Sequence, residues 1–470
     1  MSMKLYNTPD RRVVEFVPLE AGKVTMYCCG PTVYNYAHIG NLRAYLFEDI
    51  LRRTLELEGY QVKHVMNVTD VGHLTGDGDD GEDKMIKGAR EKGMSVWDIA
   101  KFFTEAFFVD TGRLNVLRPT IVAQATAHVP QMIALIQKLE ERGLTYVAGG
   151  NVYFDTARFP DYGKMALLDR QEAPALSRVD ADAGKKNPRD FVLWFTKSKF
   201  GEQAMTWESP WGLGYPGWHI ECSAMGIHHL GERFDIHTGG IDHVPVHHTN
   251  EIAQSEGALG HKWVNYWLHN EFLLLSREKM SKSSGEFLTL QRLLDKGYDA
   301  LDYRFFCFGA HYRSPLTFTW EALDAARNAR RNLNDRVLEW KAAGAPGELG
   351  PASLSYREGW KQALENDLST PQALASLWGL VKDSGISPAE KLAGVVWMDH
   401  VLGLGLAALE APVTLAVPPE VTALLRARQS AREAKDWKRS DVLRDELKSL
   451  GWSLEDTASG PVVKKTEGRL

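Results

Sequence analysis

The stretch that decides the fold runs from residue 23 to residue 68 and reads KVTMYCCGPTVYNYAHIGNLRAYLFEDILRRTLELEGYQVKHVMNV. Its first seven residues predict a strand that ends at a Gly-Pro turn. Large apolar residues then recur at three- and four-residue intervals over residues 42–55, which indicates an amphipathic helix closed by Gly59. Valines at 62–68 supply a second strand, and a strand–helix–strand unit of this length favours a parallel sheet of the nucleotide-binding kind.

Length and composition limit the class of protein. At 470 residues the chain exceeds the size at which one hydrophobic core keeps growing, so we expect three or four structural units. With 44% hydrophobic residues and no apolar run long enough to cross a bilayer, we expect a soluble protein without membrane contact. No leader segment precedes the first strand and nothing indicates an obligate dimer, so we expect a cytoplasmic monomer. The net charge of −6 excludes a globally basic nucleic-acid coat, and any RNA contact must be local.

The residue composition and the hydrophobic pattern change several times along the chain. Polar loops and a Gly-rich hairpin between 117 and 193 indicate an insertion between two halves of the parallel sheet. Ala-, Leu- and Arg-rich helical segments follow, and a Pro-rich break isolates a short α/β tail. We therefore predict an α/β chain with five parts: the first half of the sheet at 1–116, the insertion at 117–193, the second half at 194–318, a helical bundle at 319–410 and a C-terminal domain at 411–470.

Two adjacent cysteines stand at the end of the first predicted strand. They cannot both face one cleft, because neighbouring side chains of a strand point to opposite faces. Cys28 shares its face with Val24 and Met26, whereas Cys29 shares its face with the more polar Thr25. We therefore predict Cys28 in the core and Cys29 at a polar site. A packing role for both thiols is the alternative.

Two later stretches offer further metal ligands. PGWHIECSAM and VHHTNEIAQS supply, in order, His219, Glu221, Cys222, His247 and Glu251. The four-residue spacing of His247 and Glu251 places them on one helix face. Two cysteines, a histidine and a glutamate would form a tetrahedral zinc site of mixed ligands. Pairing of Glu251 with His248 is an alternative geometry, and a solvated pair on a helix surface is an alternative without metal.

Two short motifs indicate phosphate chemistry. The motif HIGN at 38–41 lies where the turn leads into the helix, and the unpaired N–H groups and dipole of a helix N-terminus favour binding of a phosphate. The motif KMSKS at 279–283 follows a predicted strand. Its two ammonium groups can neutralise the charge that develops on a pyrophosphate leaving group. The alternative for the histidine is a side chain whose hydrogen bonds are made within the turn, and the alternative for the Lys/Ser loop is a solvated turn.

Together these motifs resemble the class I aminoacyl-tRNA synthetases, and within that class the cysteinyl-tRNA synthetase family. The resemblance extends through essentially the whole chain, in the ordered motifs YCCGPTVYNYAHIGN, GYPGWHIECSAM, FDIHTGGIDHVPVHHTNEIAQS, REKMSKSSGEF, GAHYRSPLTF, ENDLSTPQALA and AREAKDWKRSDVLRDELKSLGWSLEDT. It implies a Rossmann-type catalytic domain with a connective insertion, a helical bundle and an anticodon-binding domain. It also implies activation of L-cysteine with ATP and Mg²⁺, followed by transfer of the cysteinyl group to tRNA(Cys).

The resemblance further implies a role for each motif residue. The ligands of one zinc ion would be Cys29, Cys222, His247 and Glu251. The residues that bind ATP would be His38, Gly40, Asn41, Asp242 and Lys282. The catalytic groups would be His38, Lys279 and Lys282, and the amino acid would contact Trp218, His219 and His237. Zinc would select cysteine over serine by binding the substrate as a thiolate.

This chain departs from the family pattern at three positions near the HIGN and KMSKS motifs. Asn41 stands where a histidine is usual, and Ser284 and Glu286 replace the usual leucine and asparagine after the lysine loop. The departure at Asn41 keeps a hydrogen-bonding side chain but removes a titratable one. None of the three positions is a predicted zinc ligand.

RNA binding would belong to the C-terminal domain. Basic residues at 426–448 interleave with Trp437 and Trp452, a mixture suited to phosphate contact and base stacking, although a charged helix face without a ligand is the alternative. Two other functions compete. One is a ligase that transfers activated cysteine to an amino sugar and lacks the anticodon module. The other is a non-catalytic RNA-binding paralogue that has lost the zinc ligands or the lysines.

Overall fold

The computed structural model describes residues 3–72, 93–168, 184–197, 204–275, 288–344, 347–411, 418–434, 436–457 and 460–465. The strands, numbered along the chain, are β1 (Lys4–Asn7), β2 (Arg12–Glu15), β3 (Lys23–Cys28), β4 (Gln61–Val68), β5 (Ile121–Gln124), β6 (Thr145–Ala148), β7 (Asn151–Phe154), β8 (Phe191–Phe195), β9 (Tyr215–Pro216), β10 (Phe234–Gly240), β11 (Val264–Asn270), β12 (Leu273–Leu275), β13 (Leu316–Phe318), β14 (Trp452–Thr457) and β15 (Gly460–Lys465). The α-helices are α1 (Ile39–Leu57), α2 (Val96–Arg113), α3 (Val129–Glu141), α4 (Trp218–Leu230), α5 (His247–Leu259), α6 (Leu290–Asp295), α7 (Ala300–Phe308), α8 (Trp320–Ala342), α9 (Leu354–Glu365), α10 (Thr370–Lys382), α11 (Pro388–Leu402), α12 (Pro419–Glu433) and α13 (Trp437–Ser449).

A five-stranded sheet in the order β11-β10-β3-β4-β5 forms the centre of the larger unit, Met1–Leu409. Every neighbouring pair in this sheet is parallel. Helix α1 connects β3 to the adjacent β4, and Gly59 closes it with a φ of 88°. The predicted α/β class with a parallel sheet is therefore confirmed.

The two faces of β3 pack into different cores. Val24, Met26 and Cys28 belong to the apolar cluster that includes the buried leucines of α1. Tyr27 and Cys29 belong to a second cluster on the other face of the sheet. Cys28 is fully buried, so the prediction that it packs in the core is confirmed.

The inserted segment begins and ends at different places from those expected at 117 and 193. Strand β5 lies inside the expected range, yet it pairs with β4 in the central sheet. The inserted antiparallel sheet runs in the order β6-β7-β8-β9 and extends to Pro216. A four-residue strand such as IVAQ carries too little periodicity to reveal its sheet, because long-range pairing and not local pattern decides where it lies.

The smaller unit, Glu410–Leu470, contains α12, α13 and the antiparallel hairpin of β14 and β15. Its core includes Val421, Leu447 and Trp452, and the guanidinium-bearing Arg428 is also buried. Trp452 is therefore a core residue, which corrects its expected place among base-stacking side chains. Trp437 is exposed. Across both units, none of the described helices is long and apolar enough to cross a membrane.

Arg304 on α7 links several elements of the larger unit. Its side chain is fully buried, and one guanidinium nitrogen lies 2.7 Å from a carboxylate oxygen of Asp49 on α1. The guanidinium also donates to the backbone carbonyls of Leu402 at the end of α11 and Leu114 after α2. Removing such a buried charge leaves its carboxylate partner with less compensation in a low-dielectric core.

We expect Arg304→Met to lower the free energy of unfolding of the larger unit by roughly 3 kcal/mol. The substitution breaks a buried ion pair and leaves buried backbone carbonyls without their hydrogen-bond donor. Urea denaturation measures this change. The matched control is Arg336→Met, which removes an exposed ion pair with Glu339 at 3.0 Å and should cost no more than about 0.5 kcal/mol. Equal losses in the two variants would contradict the assignment of Arg304 as a buried link.

Candidate active site

A cleft of about 440 Å³ opens at the carboxyl ends of the parallel strands. Its walls come from the loop after β3, the N-terminus of α1, the turn after β10, and the N-terminal ends of α4 and α5. The predicted site residues that line it are Cys29, His38, Gly40, Asn41, Trp218, Cys222, Asp242 and His247. A larger pocket of about 690 Å³, between the insertion and α5, is lined by none of the predicted site residues. The carboxyl edge of an open parallel sheet is where ligands of such folds bind, so we assign the smaller cleft as the candidate site.

Four potential metal ligands meet at one wall of this cleft. Cys29 follows β3, Cys222 lies near the start of α4, and His247 and Glu251 are one turn apart on α5. One ligand atom from each of the four lies within 4.8 Å of all the others. All four side chains are buried. Three separate elements of the larger unit therefore bring these donors together, although Cys29 and Glu251 are 222 positions apart in the sequence.

Two residues predicted to contact the amino acid lie behind these donors. A ring nitrogen of His219 is 2.8 Å from one of His247, and Nε2 of His237 is 3.0 Å from a carboxylate oxygen of Glu251. Neither His219 nor His237 lines the cleft. The structure therefore places both as supports for metal-ligand candidates and not against the space that a substrate would occupy. Glu221, the other carboxylate in this stretch, accepts a hydrogen bond from Thr69 instead.

A second set of donors overlaps the first. Cys29, His237, His248 and Glu251 also place one ligand atom each within 4.8 Å of the others. However, Nε2 of His248 lies 3.2 Å from the Cys29 sulfur, and its Nδ1 lies 2.7 Å from His269. His237 and His248 do not line the cleft, whereas Cys222 and His247 do. The first set is the one that a substrate can reach.

The chemistry of the donor set fits a zinc ion. Burial raises the pKa of the Cys29 thiol and of the Glu251 carboxyl well above their ordinary values. Burial also lowers the pKa of His237 to about 3, so this imidazole is neutral. Without a cation these groups hold protons, and a divalent metal would replace them and stabilise the thiolates and the carboxylate. Two sulfur donors with nitrogen and oxygen donors favour zinc over calcium or magnesium.

His38 caps the N-terminus of α1 across the cleft. Its Nδ1 accepts a hydrogen bond from the Asn41 backbone N–H at 3.0 Å, and the Asn41 side chain accepts one from the His38 backbone N–H at 3.3 Å. Because Nδ1 is an acceptor, the neutral ring carries its proton on Nε2. Burial lowers the pKa of His38 and favours this neutral form. The departure at Asn41 thus completes a capping box that fixes the histidine ring.

The remaining predicted residues fall into two groups. Asp242 lies in the short 3₁₀ turn Ile241–His243 that directly follows β10, and it lines the cleft. Lys279 and Lys282, with Ser284 and Glu286, belong to the stretch 276–287, which lies outside the described residues. The structure therefore brings together the zinc candidates with His38, Gly40, Asn41, Asp242 and Trp218.

Comparison with known proteins agrees with this geometry. Residues 15–328 match the family described as tRNA synthetases class I (C) catalytic domain, and residues 414–460 match the cysteinyl-tRNA ligase anticodon binding domain. The cysteine–tRNA ligase of Treponema denticola is 50% identical over 99% of this chain and 100% of its own length. This chain belongs to the cysteine–tRNA ligase family. The cysteine–tRNA ligase 1 of Burkholderia lata is likewise 50% identical, over 98% of this chain and 96% of its own length.

A solved structure shares the fold of this cysteine–tRNA ligase family member. The Mycobacterium tuberculosis methionyl-tRNA synthetase in complex with methionyl-adenylate has a TM-score of 0.58 and 15% sequence identity, and the match covers 83% of this chain and 95% of that one. At this identity the likeness establishes the class I fold alone. The family match over residues 15–328 and the cysteine–tRNA ligase relatives show that the chain is an enzyme of the class I synthetases, as the sequence motifs predicted.

Sequence reasoning missed one acidic residue of the cleft in this synthetase. Glu48 on α1 lines the cleft yet is almost fully buried, and one of its carboxyl oxygens accepts a hydrogen bond from Thr238 at 2.9 Å. Burial raises the pKa of Glu48 to about 8. Its signal in the sequence is an acidic residue that follows Leu46 and Phe47 in a mainly apolar part of the helix. We expect Glu48 to be largely protonated at neutral pH.

We expect Glu48→Gln to change how stability depends on pH. An unfolded glutamate ionises near pH 4.3, whereas folded Glu48 keeps its proton to about pH 8, so the unfolded state loses the proton first. The wild-type protein should therefore lose stability between about pH 4.3 and 8, and the glutamine variant should lose less over the same window. Denaturation at several pH values measures this, with Glu56→Gln on the exposed side of α1 as the control that keeps the wild-type profile.

Proposed function

We propose that this chain activates L-cysteine with ATP to cysteinyl adenylate and transfers the cysteinyl group to the 3′ end of tRNA(Cys). The proposal includes one zinc ion held by Cys29, Cys222, His247 and Glu251, which binds the substrate sulfur as a thiolate. Magnesium would accompany ATP. We also propose that the enzyme acts as a cytoplasmic monomer.

One observation carries the proposal: three of the four clustered donors, Cys29, Cys222 and His247, line the same cleft as the capped N-terminus of α1. A metal at the cluster would hold the sulfur of cysteine, and the positive end of the α1 dipole would attract the phosphates of ATP. The amino-acid carboxylate would then lie between them, next to the α-phosphate. Such placement converts a bimolecular reaction into an effectively intramolecular one.

The residues of the cleft would act mainly by binding and charge stabilisation in the first step. The carboxylate of cysteine attacks the α-phosphate and pyrophosphate leaves, so no side chain needs to become a nucleophile. His38 would donate its Nε2 proton to a phosphate oxygen, since Nδ1 already accepts from the backbone. Lys279 and Lys282 would neutralise the charge on the leaving pyrophosphate, and Asp242 would contact ATP.

Selection of cysteine over serine would depend on sulfur chemistry. Cysteine and serine are near-isosteres, and a hydrogen-bonding pocket alone separates such pairs poorly. Zinc lowers the pKa of a bound thiol and favours sulfur, while a serine hydroxyl keeps its proton. Trp218, whose ring centroid lies 4.6 Å from that of His247, would cover the substrate next to this donor set. His219 and His237 would orient His247 and Glu251.

The test is ATP–pyrophosphate exchange with each amino acid, followed by charging of tRNA(Cys), on zinc-loaded protein. We expect cysteine to drive exchange at least about 100-fold better than serine. Exchange driven best by another amino acid would contradict the substrate. Exchange with cysteine but without tRNA charging would favour the ligase that uses an amino sugar. Cysteine-over-serine selection that survives complete removal of zinc would contradict the role of the metal.

A further inference from the structure

Three histidines gather on the surface, away from the catalytic cleft. His128 precedes α3, and His228 and His229 occupy the C-terminal end of α4. One ring nitrogen from each lies within 4.8 Å of the other two, and none of these residues lines the cleft. The ring centroids are 4.7–5.4 Å apart, with His228 to His229 closest and His128 to His228 most distant. The cluster takes no part in the proposed synthetase reaction.

The hydrogen bonds of His128 prepare its ring for a metal. Its Nδ1 lies 2.6 Å from the backbone carbonyl of Gln124, so this nitrogen carries the proton and donates it. The lone pair of the neutral ring is therefore on Nε2, which accepts a hydrogen bond from Nε2–H of His229 at 2.9 Å, so metal binding requires His229 to carry its proton on Nδ1 instead. Histidines that bind metals typically donate their second ring N–H to a carbonyl or carboxylate in this way. Two Nε2 atoms of a tetrahedral zinc site lie roughly 3.3 Å apart at Zn–N distances of about 2.0–2.1 Å, so only a small ring movement is needed.

We propose that His128, His228 and His229 bind a second divalent transition-metal ion, distinct from the one in the catalytic cleft. Three imidazoles suit zinc, cobalt, nickel or copper, and they leave a fourth position for water. Binding requires the three rings to be neutral and to present their lone pairs to one point. Calcium and magnesium, which take oxygen ligands, do not suit this site.

The cluster lies between the C-terminal end of α4 and the turn before α3, so a metal bound there would affect how α4 is held. Helix α4 carries Cys222 near its N-terminal end and His228 and His229 at its C-terminal end, about 9 Å further along the helix axis. A cation is favourable at the negative end of the helix dipole. The ammonium of Lys63 already donates to the His229 carbonyl at 2.6 Å, so the metal would add to an existing positive charge and bind more weakly than at the thiolate site. An ion there would fix the end of α4 to the turn before α3.

Cobalt titration of the full-length, untagged, chelator-treated chain tests the proposal. A cobalt ion with thiolate ligands gives sulfur-to-metal charge-transfer absorption, whereas a site of three imidazoles gives only weak d–d bands. We expect the wild-type protein to bind one equivalent of cobalt more than the double variant His128→Gln/His229→Gln. The matched control is His261→Gln, which changes an exposed histidine outside the cluster and should keep the wild-type stoichiometry.

Two further measurements keep the result decisive. Far-UV circular dichroism and the thiolate–cobalt band, where it is present, report that each variant is folded. If the double variant does not fold, the single variant His228→Gln takes its place, and it should bind the extra equivalent of cobalt more weakly than the wild-type protein. An extra equivalent that survives in His128→Gln/His229→Gln would overturn the proposal. The same conclusion follows if excess cobalt gives no extra equivalent in the wild-type protein. Because the readout is a difference of one equivalent, it does not depend on whether the proposed aminoacylation is correct.

Discussion

Replacing Cys29 by alanine should remove the metal from the catalytic cleft and lower kcat/KM for cysteine activation by more than about 100-fold. Mutating a residue that only supports a metal ligand lowers metal affinity or activity by about 10–100-fold, and loss of a ligand itself should cost more. Both possible donor sets contain Cys29 and Glu251, and of these two Cys29 is the one that lines the cleft, beside Cys222 and His247. Metal content, the thiolate–cobalt band and ATP–pyrophosphate exchange measure the loss. The folded state should persist, because alanine removes a sulfur at the wall of an open cleft.

The neighbouring cysteine supplies the control. Cys28→Ala removes the same atoms from the next position of the chain, but its side chain packs with Val24 and Met26 on the opposite face of β3. We expect this variant to keep its metal and to lose only about 1 kcal/mol of stability. Loss of metal from Cys28→Ala together with retention in Cys29→Ala would contradict the assignment of the two faces.

A second pair of variants distinguishes the two donor sets. Cys222→Ala should lose the catalytic metal, because Cys222 belongs only to the set that lines the cleft. His248→Gln should keep the metal, because its ring belongs only to the alternative set. The opposite pattern would place the metal behind the cleft, out of reach of a substrate thiol.

Replacing Gly40 by alanine should slow adenylate formation by about 100-fold while changing the free energy of unfolding by no more than about 1 kcal/mol, because the loss of the His38 cap offsets the gain in helix propensity. A Cβ atom at this position would lie 2.9 Å from Cε1 and Nδ1 of the His38 ring. The ring must then move away from its hydrogen bond with Asn41, and displacement of a catalytic group by even 1 Å can cost about this factor. Helix propensity acts in the opposite direction, because alanine is about 1 kcal/mol better than glycine inside a helix.

Gly112→Ala is the matched control for the helix effect. A Cβ at Gly112, within α2, meets no atom within 4 Å, so only the propensity gain should remain. Exchange rates and melting temperatures of both variants measure the two effects separately. In the double variant His38→Ala/Gly40→Ala the losses should not add, since both act through the same ring. Additive losses would show that Gly40→Ala acts elsewhere in the cleft.

Local stereochemistry explains how much of this site could be predicted from the sequence. The alternation of a strand separated Cys28 from Cys29, and the pitch of a helix paired His247 with Glu251. Both inferences use distances of a few residues, over which covalent geometry fixes the direction of side chains. The turn into α1 likewise placed His38 at a helix N-terminus, where the structure has it as the N-cap residue.

Longer-range features could not be predicted in this way. The spacing left His247 and His248 as alternatives, and only the packing of α5 beside the cleft turned His247 toward it and His248 toward His269. Placement of His219 and His237 behind the donors, burial of Trp452 and pairing of β5 with the central sheet also depend on contacts between distant segments. Such contacts follow from how whole elements pack, which local pattern does not encode.

The sequence by itself determined the parallel α/β fold, the family, and the candidate donors and phosphate-binding motifs, because periodicity and motif order are written in neighbouring residues. Only the tertiary structure decided which donors open onto one cleft, why Asn41 suits its position, and where Glu48 and the surface histidines lie. These properties arise when side chains far apart in the chain are brought within a few ångströms, where burial and hydrogen bonding set their chemistry.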